Sequence, residues 1–182
     1  MTVTVTVRAA APADIPAMEA LIKRSGIQLS EGFYTSEQAQ AVTRHVFGVD
    51  TQLVADQTYF LIERQGELVA CGGWSKRSTL FGADHTKQGV DALLDPATEP
   101  ARIRAFFVEP SAARQGLGRL LLQHCTDAAA EAGFHTLELA ATMPGVPLYL
   151  ACGFSEIETF ELALPDQVRV PLTRMGKAIT AR

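Results

Sequence analysis

The sequence predicts an α/β fold of the α+β kind, about seven strands and about four helices, on three observations. The periodic segments read in the order β-α-α-β-β-β-α-β-α-β-β. Two pairs of strand-like segments, within 58–74 and 155–173, lie close enough in sequence to form hairpins. Between them an apolar strand, 102–108, runs through a glycine-bearing turn straight into a long amphipathic helix. At 182 residues and 47% apolar composition, the chain is most simply one domain, 1–182, with a real core.

Each element has its own signal. Met1 to Val7 alternates polar and apolar, so Val3, Val5 and Val7 share one strand face. Ala11-Pro12-Ala13-Asp14 opens a helix whose apolar stripe is Met18, Leu21 and Ile22, followed by a loop over 25–34. Ser36-Glu37 starts a second helix through Ala39, Val42 and Val46. Tyr59-Phe60-Leu61-Ile62 and Leu68-Val69-Ala70-Cys71 are hairpin arms around Gln65-Gly66. Residues 75–100 lose periodicity, a length of irregular chain that is often functional, with a helical turn expected near 90–94. The helix from Gly116 to Ala132 buries Leu117, Leu121, Cys125, Ala128 and Ala132, and Gly133 stops it. A strand over 136–140, a short helix over 145–151 closed by Gly153, and strands over 155–162 and 168–173 around Pro165-Asp166 complete the chain.

The turn Ala113-Arg114-Gln115-Gly116-Leu117-Gly118-Arg119 carries the chemistry. A helix start leaves backbone N–H groups without intrahelical partners, and the positive end of the helix dipole adds to their pull on an anion. The two glycines admit a ligand close to the backbone, and Arg114 and Arg119 add charge. A pyrophosphate suits such a turn. A dinucleotide fingerprint fails because its third glycine position is Leu121, and no Gly-Lys-Ser/Thr makes a P-loop.

With Val108-Glu109-Pro110 before it, this turn resembles the acyl-CoA pyrophosphate loop of the GNAT superfamily of acyl-CoA-dependent N-acyltransferases, apart from Ala113, where the family pattern has Gln or Arg. Leu148-Tyr149-Leu150-Ala151-Cys152-Gly153-Phe154 resembles a second family segment. The resemblance is specific over about 102–154 and loose before residue 58. It implies a mixed, mostly antiparallel sheet splayed between its fourth and fifth strands. It also implies acetyl-CoA as co-substrate, with no metal. Phe106, Phe107 and Val108 would line the pantetheine and thioester, and an N–H near Phe107 or Val108 would polarise the thioester carbonyl. Tyr149 would protonate the departing thiolate. Packing alone is the other use of that tyrosine.

The acceptor is the open end of this reading. A lysine-like amine is neutral in only about one molecule in two thousand at pH 7, so a base or water chain is expected. Arg102 stands where some family members carry a glutamate base. Glu109, before Pro110, is expected to face solvent, as are Glu63 and Glu67. Asp84 and His85 lie in the long loop, from which they could reach the site, although a lone loop histidine is more often a surface residue; no base is assigned. His124 and Cys125 point about 100° apart on a helix and make no nucleophilic pair. The resemblance brings Phe33, Tyr34, Trp74 and parts of 75–100 to the acceptor side. Arg102 and Arg104 share a strand face and serve either an acceptor carboxylate or Asp and Glu on neighbouring strands.

Composition narrows the partners. A net charge of −4 gives no reason to expect nucleic acid or a membrane surface. No apolar run reaches the ~18 residues of a membrane span, and the N-terminus lacks the pattern of a signal peptide. Cys71, Cys125 and Cys152 are scattered and odd in number, which suits free thiols in a reducing cytoplasm. The expected function is acetyl transfer from acetyl-CoA to a primary amine, on a small molecule or a protein, by direct attack in a ternary complex. Transfer of a longer acyl group, a CoA-binding sensor without turnover and a nucleotide-binding domain are the alternatives. The terminal hairpin offers an edge for a homodimer.

Overall fold

A computed structural model describes residues 4–180 of the chain. One seven-stranded sheet organises it: β1 (Val5–Ala9), β2 (Tyr59–Arg64), β3 (Glu67–Ser75), β4 (Ala101–Val108), β5 (Thr136–Thr142), β6 (Ser155–Ala163) and β7 (Arg169–Ala178), in the order β1-β2-β3-β4-β5-β7-β6. Every neighbouring pair is antiparallel except β4 and β5. Val3 lies outside the described residues; Val5 and Val7 pack on the core as the alternation requires.

The β4–β5 pair positions the site. These strands meet only at Ala101↔Leu137 and Arg102↔Glu138, then diverge. Their backbones are therefore splayed beyond residue 102, and a cleft opens along Ile103 to Val108. Tyr59 secures the other edge of β4. Its hydroxyl donates to the Ala105 carbonyl at 3.2 Å, where Ala105 adopts φ +56° and the β3–β4 register slips between Cys71 and Gly73. That is a bulge, and it turns the strand around Phe106.

Among the described residues five α-helices flank the sheet, one more than the sequence suggests: α1 (Ile15–Gln28), α2 (Ser36–His45), α3 (Thr51–Ala55), α4 (Leu117–Glu131) and α5 (Val146–Ala151). The extra one, α3, is a single short turn capped by Asp50, whose side chain accepts from the Gln52 amide. Helix α1 keeps Ser25 and Gly26 inside it, so the loop to α2 starts later than expected. Thr35 and Gln38 form a capping box for α2. On α4 the buried stripe runs through Leu117, Leu121, Leu122, Cys125 and Ala129, whereas Ala132 is exposed, because the helix ends at Glu131 and Ala132 is its C-cap.

The irregular segment 76–100 is held in place by backbone bonds. Ser78 N–H donates to the Ala92 carbonyl and Leu94 N–H to that of Lys76, so extended chain crosses extended chain at 76–78 and 92–94. The helical turn expected near 90–94 is absent; a 3-10 turn forms instead at Asp84–Thr86. No helix among the described residues is long and apolar enough to cross a membrane.

Candidate active site

The turn before α4 folds as an open backbone cradle. Arg114 takes φ +63° and Gly116 φ +83°, so left-handed residues alternate with others and splay successive N–H groups outward. A Cβ on Gly116 would meet nothing within 4 Å, which leaves the backbone approachable from outside. At Gly118 the constraint is contact, since a Cβ would stand 2.9 Å from Leu148 Cδ2 of α5. No acidic residue occupies the first turn of α4. Arg114 and Arg119 are exposed and carry no ion pair among the described residues. Two uncommitted cations, a helix N-terminus and unobstructed amides fit a polyanion such as a pyrophosphate.

A cavity of about 810 Å³ starts at this cradle and follows the β4–β5 cleft. Phe106, Phe107 and Val108 line it, as do Ala113, Arg114, Gly116, Leu117, Gly118 and Arg119. Gln115 does not. Its side chain accepts from Arg64 at 2.8 Å, turned away from the cleft. The two amides singled out for polarising a carbonyl already have partners. Phe107 pairs with Cys71 across the β3–β4 ladder, and its N–H is held by the Cys71 thiol, so it faces away from β5. Val108 N–H donates to Ser25 Oγ at 3.3 Å, a long bond to a cavity-lining hydroxyl. Strand pairing thus assigns the cleft-facing role to Val108 and removes Phe107 from it. Burial pushes the Cys71 thiol up to about 12, against the opposing hydrogen bonds from Tyr59 and Phe107.

Tyr149 lines the same cavity from α5, 8% exposed, its ring centroid 6.2 Å from that of Phe106 and 5.6 Å from that of Phe154. Burial first, then the Cys125 and Cys152 thiols, push its phenol well above the ordinary tyrosine range. It is therefore a protonated donor throughout neutral pH.

Beyond β4 the cavity is walled by the α1–α2 loop, by Val46-Phe47-Gly48 and by Leu80-Phe81-Gly82. Tyr34 bolts the first of these to the sheet: its hydroxyl donates to the Pro171 carbonyl at 2.6 Å and accepts from Met143 N–H at 3.0 Å. Arg104 holds the last. Its guanidinium donates to the Gly82 carbonyl at 2.6 Å and the Thr79 carbonyl at 3.2 Å, and it pairs with Asp50 at 3.0 Å. Both side chains of that pair are 1% exposed. Lys87 reaches Asp50 at 2.6 Å and Asp91 at 3.4 Å, so the 76–100 segment is stapled to α3 and β4 by charge.

Several sequence expectations resolve here. Arg102 faces Glu138 on β5 at 3.5 Å and does not line the cavity. The partner of Arg104 is the cap of α3, an element the sequence reading missed, although Asp before a short apolar run is an N-cap signal. Glu109 does not face solvent: Arg24 of α1 binds it at 2.7 Å. Glu63 is bound by Arg8 at 2.6 Å, whereas Glu67 is exposed. Asp84 accepts from Thr51 at the start of α3, and His85 meets the His45 carbonyl; neither lines the cavity. Trp74 is core, stacked edge-on against Phe134. Phe33 does reach the cavity.

The family model described as "Acetyltransferase (GNAT) family" matches residues 27–154. Among solved structures, a GCN5-related N-acetyltransferase from Rhodopseudomonas palustris superposes with a TM-score of 0.68 at 16% identity, covering 98% of each chain. The protein yncA from Salmonella typhimurium, solved with its cofactor acetyl-CoA, gives 0.64 at 17% identity over 98% of this chain and 95% of its own. The paia N-acetyltransferase from Thermoplasma acidophilum, solved with coenzyme A, gives 0.64 at 11% identity over 96% and 99%. At such identities the likeness is one of fold. No curated protein matches the sequence.

Proposed function

The chain belongs to the GNAT acetyltransferase family, and we propose that it transfers an acetyl group from acetyl-CoA to a primary amine by direct attack in a ternary complex. The observation that carries this reading is the continuity of one cavity. It joins the amide cradle at 113–119, the splayed β4 and the protonated Tyr149 to a second compartment beyond β4.

Acetyl-CoA supplies a thioester whose carbonyl carbon is the electrophile and whose thiolate leaves. The residues of the chain do the rest. Amides of the 116–119 turn, with Arg114 and Arg119, hold the pyrophosphate. Val108 N–H, released by Ser25, donates to the carbonyl oxygen as negative charge grows there. The amine nitrogen forms the new C–N bond, the C–S bond breaks, and the electron pair stays on sulfur. Tyr149 gives its phenolic proton to that sulfur. The proton lost from the amine nitrogen returns through water to the phenolate, so the products are an amide and CoA with the residue restored.

Thermal shift with acetyl-CoA, CoA, NAD and ATP at millimolar concentration tests the premise. A ligand at 100 times its Kd stabilises by about 2.7 kcal/mol. A shift with the two CoA species alone is expected, and a larger one with NAD or ATP would refute the reading.

A further inference from the structure

The compartment beyond β4 has a chemistry of its own, and its reading rests on the amine acylation proposed above. Leu29 and Phe33 reach it from the α1–α2 loop, Phe47 from the chain after α2, and Leu80 and Phe81 from the segment that Arg104 holds. None of the five is fully buried, and Phe33 is 48% exposed. Their apolar faces border the cavity. Phe47 also stands edge-on to Phe107 at 4.9 Å, which carries the aromatic wall up to the central strand.

Charge in this compartment is equally specific. Arg104 is its one cation among the described residues, and that cation is spent on Asp50 and two carbonyls. Arg114 and Arg119 belong to the cradle at the other end. A carboxylate carried in beside the amine would be desolvated with no counter-charge. Glu31, exposed and without an ion pair, is the acid on this side.

We infer that the acceptor is a primary amine on an apolar frame that bears no carboxylate, with the frame lying among Phe33, Phe47, Leu80 and Phe81 and the ammonium drawn in past Glu31. The same walls answer the absence of a base. Apolar surroundings disfavour the ammonium over the neutral amine, so it gives its proton to bulk water as it leaves Glu31 and enters the compartment as the free-base nucleophile.

A matched set of amines tests this: phenethylamine, phenylalanine, which is the same frame with a carboxylate, and spermidine, a polar polyamine. Isothermal titration of each into the CoA-saturated protein measures binding without turnover, and CoA release from acetyl-CoA measures transfer. Phenethylamine is expected to bind, and to exceed phenylalanine in kcat/KM by at least about 100-fold. Leu80→Arg, a half-exposed position, adds a cation and is expected to narrow that ratio at least about tenfold. Preference for phenylalanine or spermidine, or no binding of phenethylamine to a protein that does bind CoA, would overturn the inference and leave the proposed reaction standing. Failure to bind CoA at all would instead remove the reaction on which it rests.

Discussion

The two halves of the cavity are built in opposite ways. The cradle half is backbone: amides of one turn, fixed by Gly116 and Gly118 within a stretch of seven residues. The half beyond β4, where we place the acceptor, is side chains, gathered from the α1–α2 loop, the chain after α2 and the 76–100 segment, and locked by the buried Arg104–Asp50 pair. A site made of main chain tolerates many side chains and fails when the backbone is blocked. A site made of distant side chains fails when the connection between its segments fails.

That contrast is breakable. The largest effect is expected from Gly116→Glu or Gly118→Glu, which set a carboxylate in the cradle and, at 118, drive a side chain against Leu148. CoA binding should be undetectable by calorimetry in a protein that retains its far-UV spectrum; micromolar binding would show that the cradle is not the CoA site. Next comes Asp50→Ala. It strands the Arg104 guanidinium among carbonyls, which costs about 3–5 kcal/mol in denaturant unfolding. Well below the melting transition, KM for the amine should rise more than KM for acetyl-CoA. Equal rises would mean that the halves are not separable.

A smaller effect sharpens the same division. Tyr149→Phe should lower kcat about 100-fold while leaving CoA affinity nearly unchanged. Because burial raises the Tyr149 phenol, wild-type kcat/KM should climb with pH as the amine deprotonates, with no fall before the ordinary phenol range. A falling limb near pH 9 would place another acid in the step.

The smallest effect lies outside the cavity altogether. The Arg8 guanidinium beside Asp14, 2.8 Å away, lowers its carboxyl to about 2. Its stabilisation is present above the unfolded value of about 3.9 and is lost as pH falls through the folded one. Asp14→Asn should therefore flatten the acid limb of stability between about pH 4 and pH 2, and leave CoA and amine binding alone.

Legibility in the sequence follows the same division. The strand–turn–helix at 102–119 and the segment at 148–154 could be read because their geometry is local: glycines, a proline and a helix start fix the turn whatever surrounds it. Ser25 and Phe47 carried no comparable signal, and Asp50 offered only that of a helix N-cap, with nothing to name its partner. Asp50 matters because Arg104 lies against it, Ser25 because α1 crosses the end of β4, and Phe47 because Phe107 is beside it. Arg102 and Arg104 show the limit most clearly. Alternation puts them on one face of one strand, yet one meets β5 and the other the cap of α3.

The sequence by itself determined the class of fold, the central strand, the cradle and the position of Tyr149, since each depends on periodicity or turn chemistry within a short window. Only the tertiary structure decided which amide of β4 faces the cleft, which arginine is free and what walls the half of the cavity beyond β4. Those outcomes depend on the splay of β4 from β5, the bulge at Ala105 and the packing of remote segments. They are set by contacts across long loops, where no local pattern of residues names the partner.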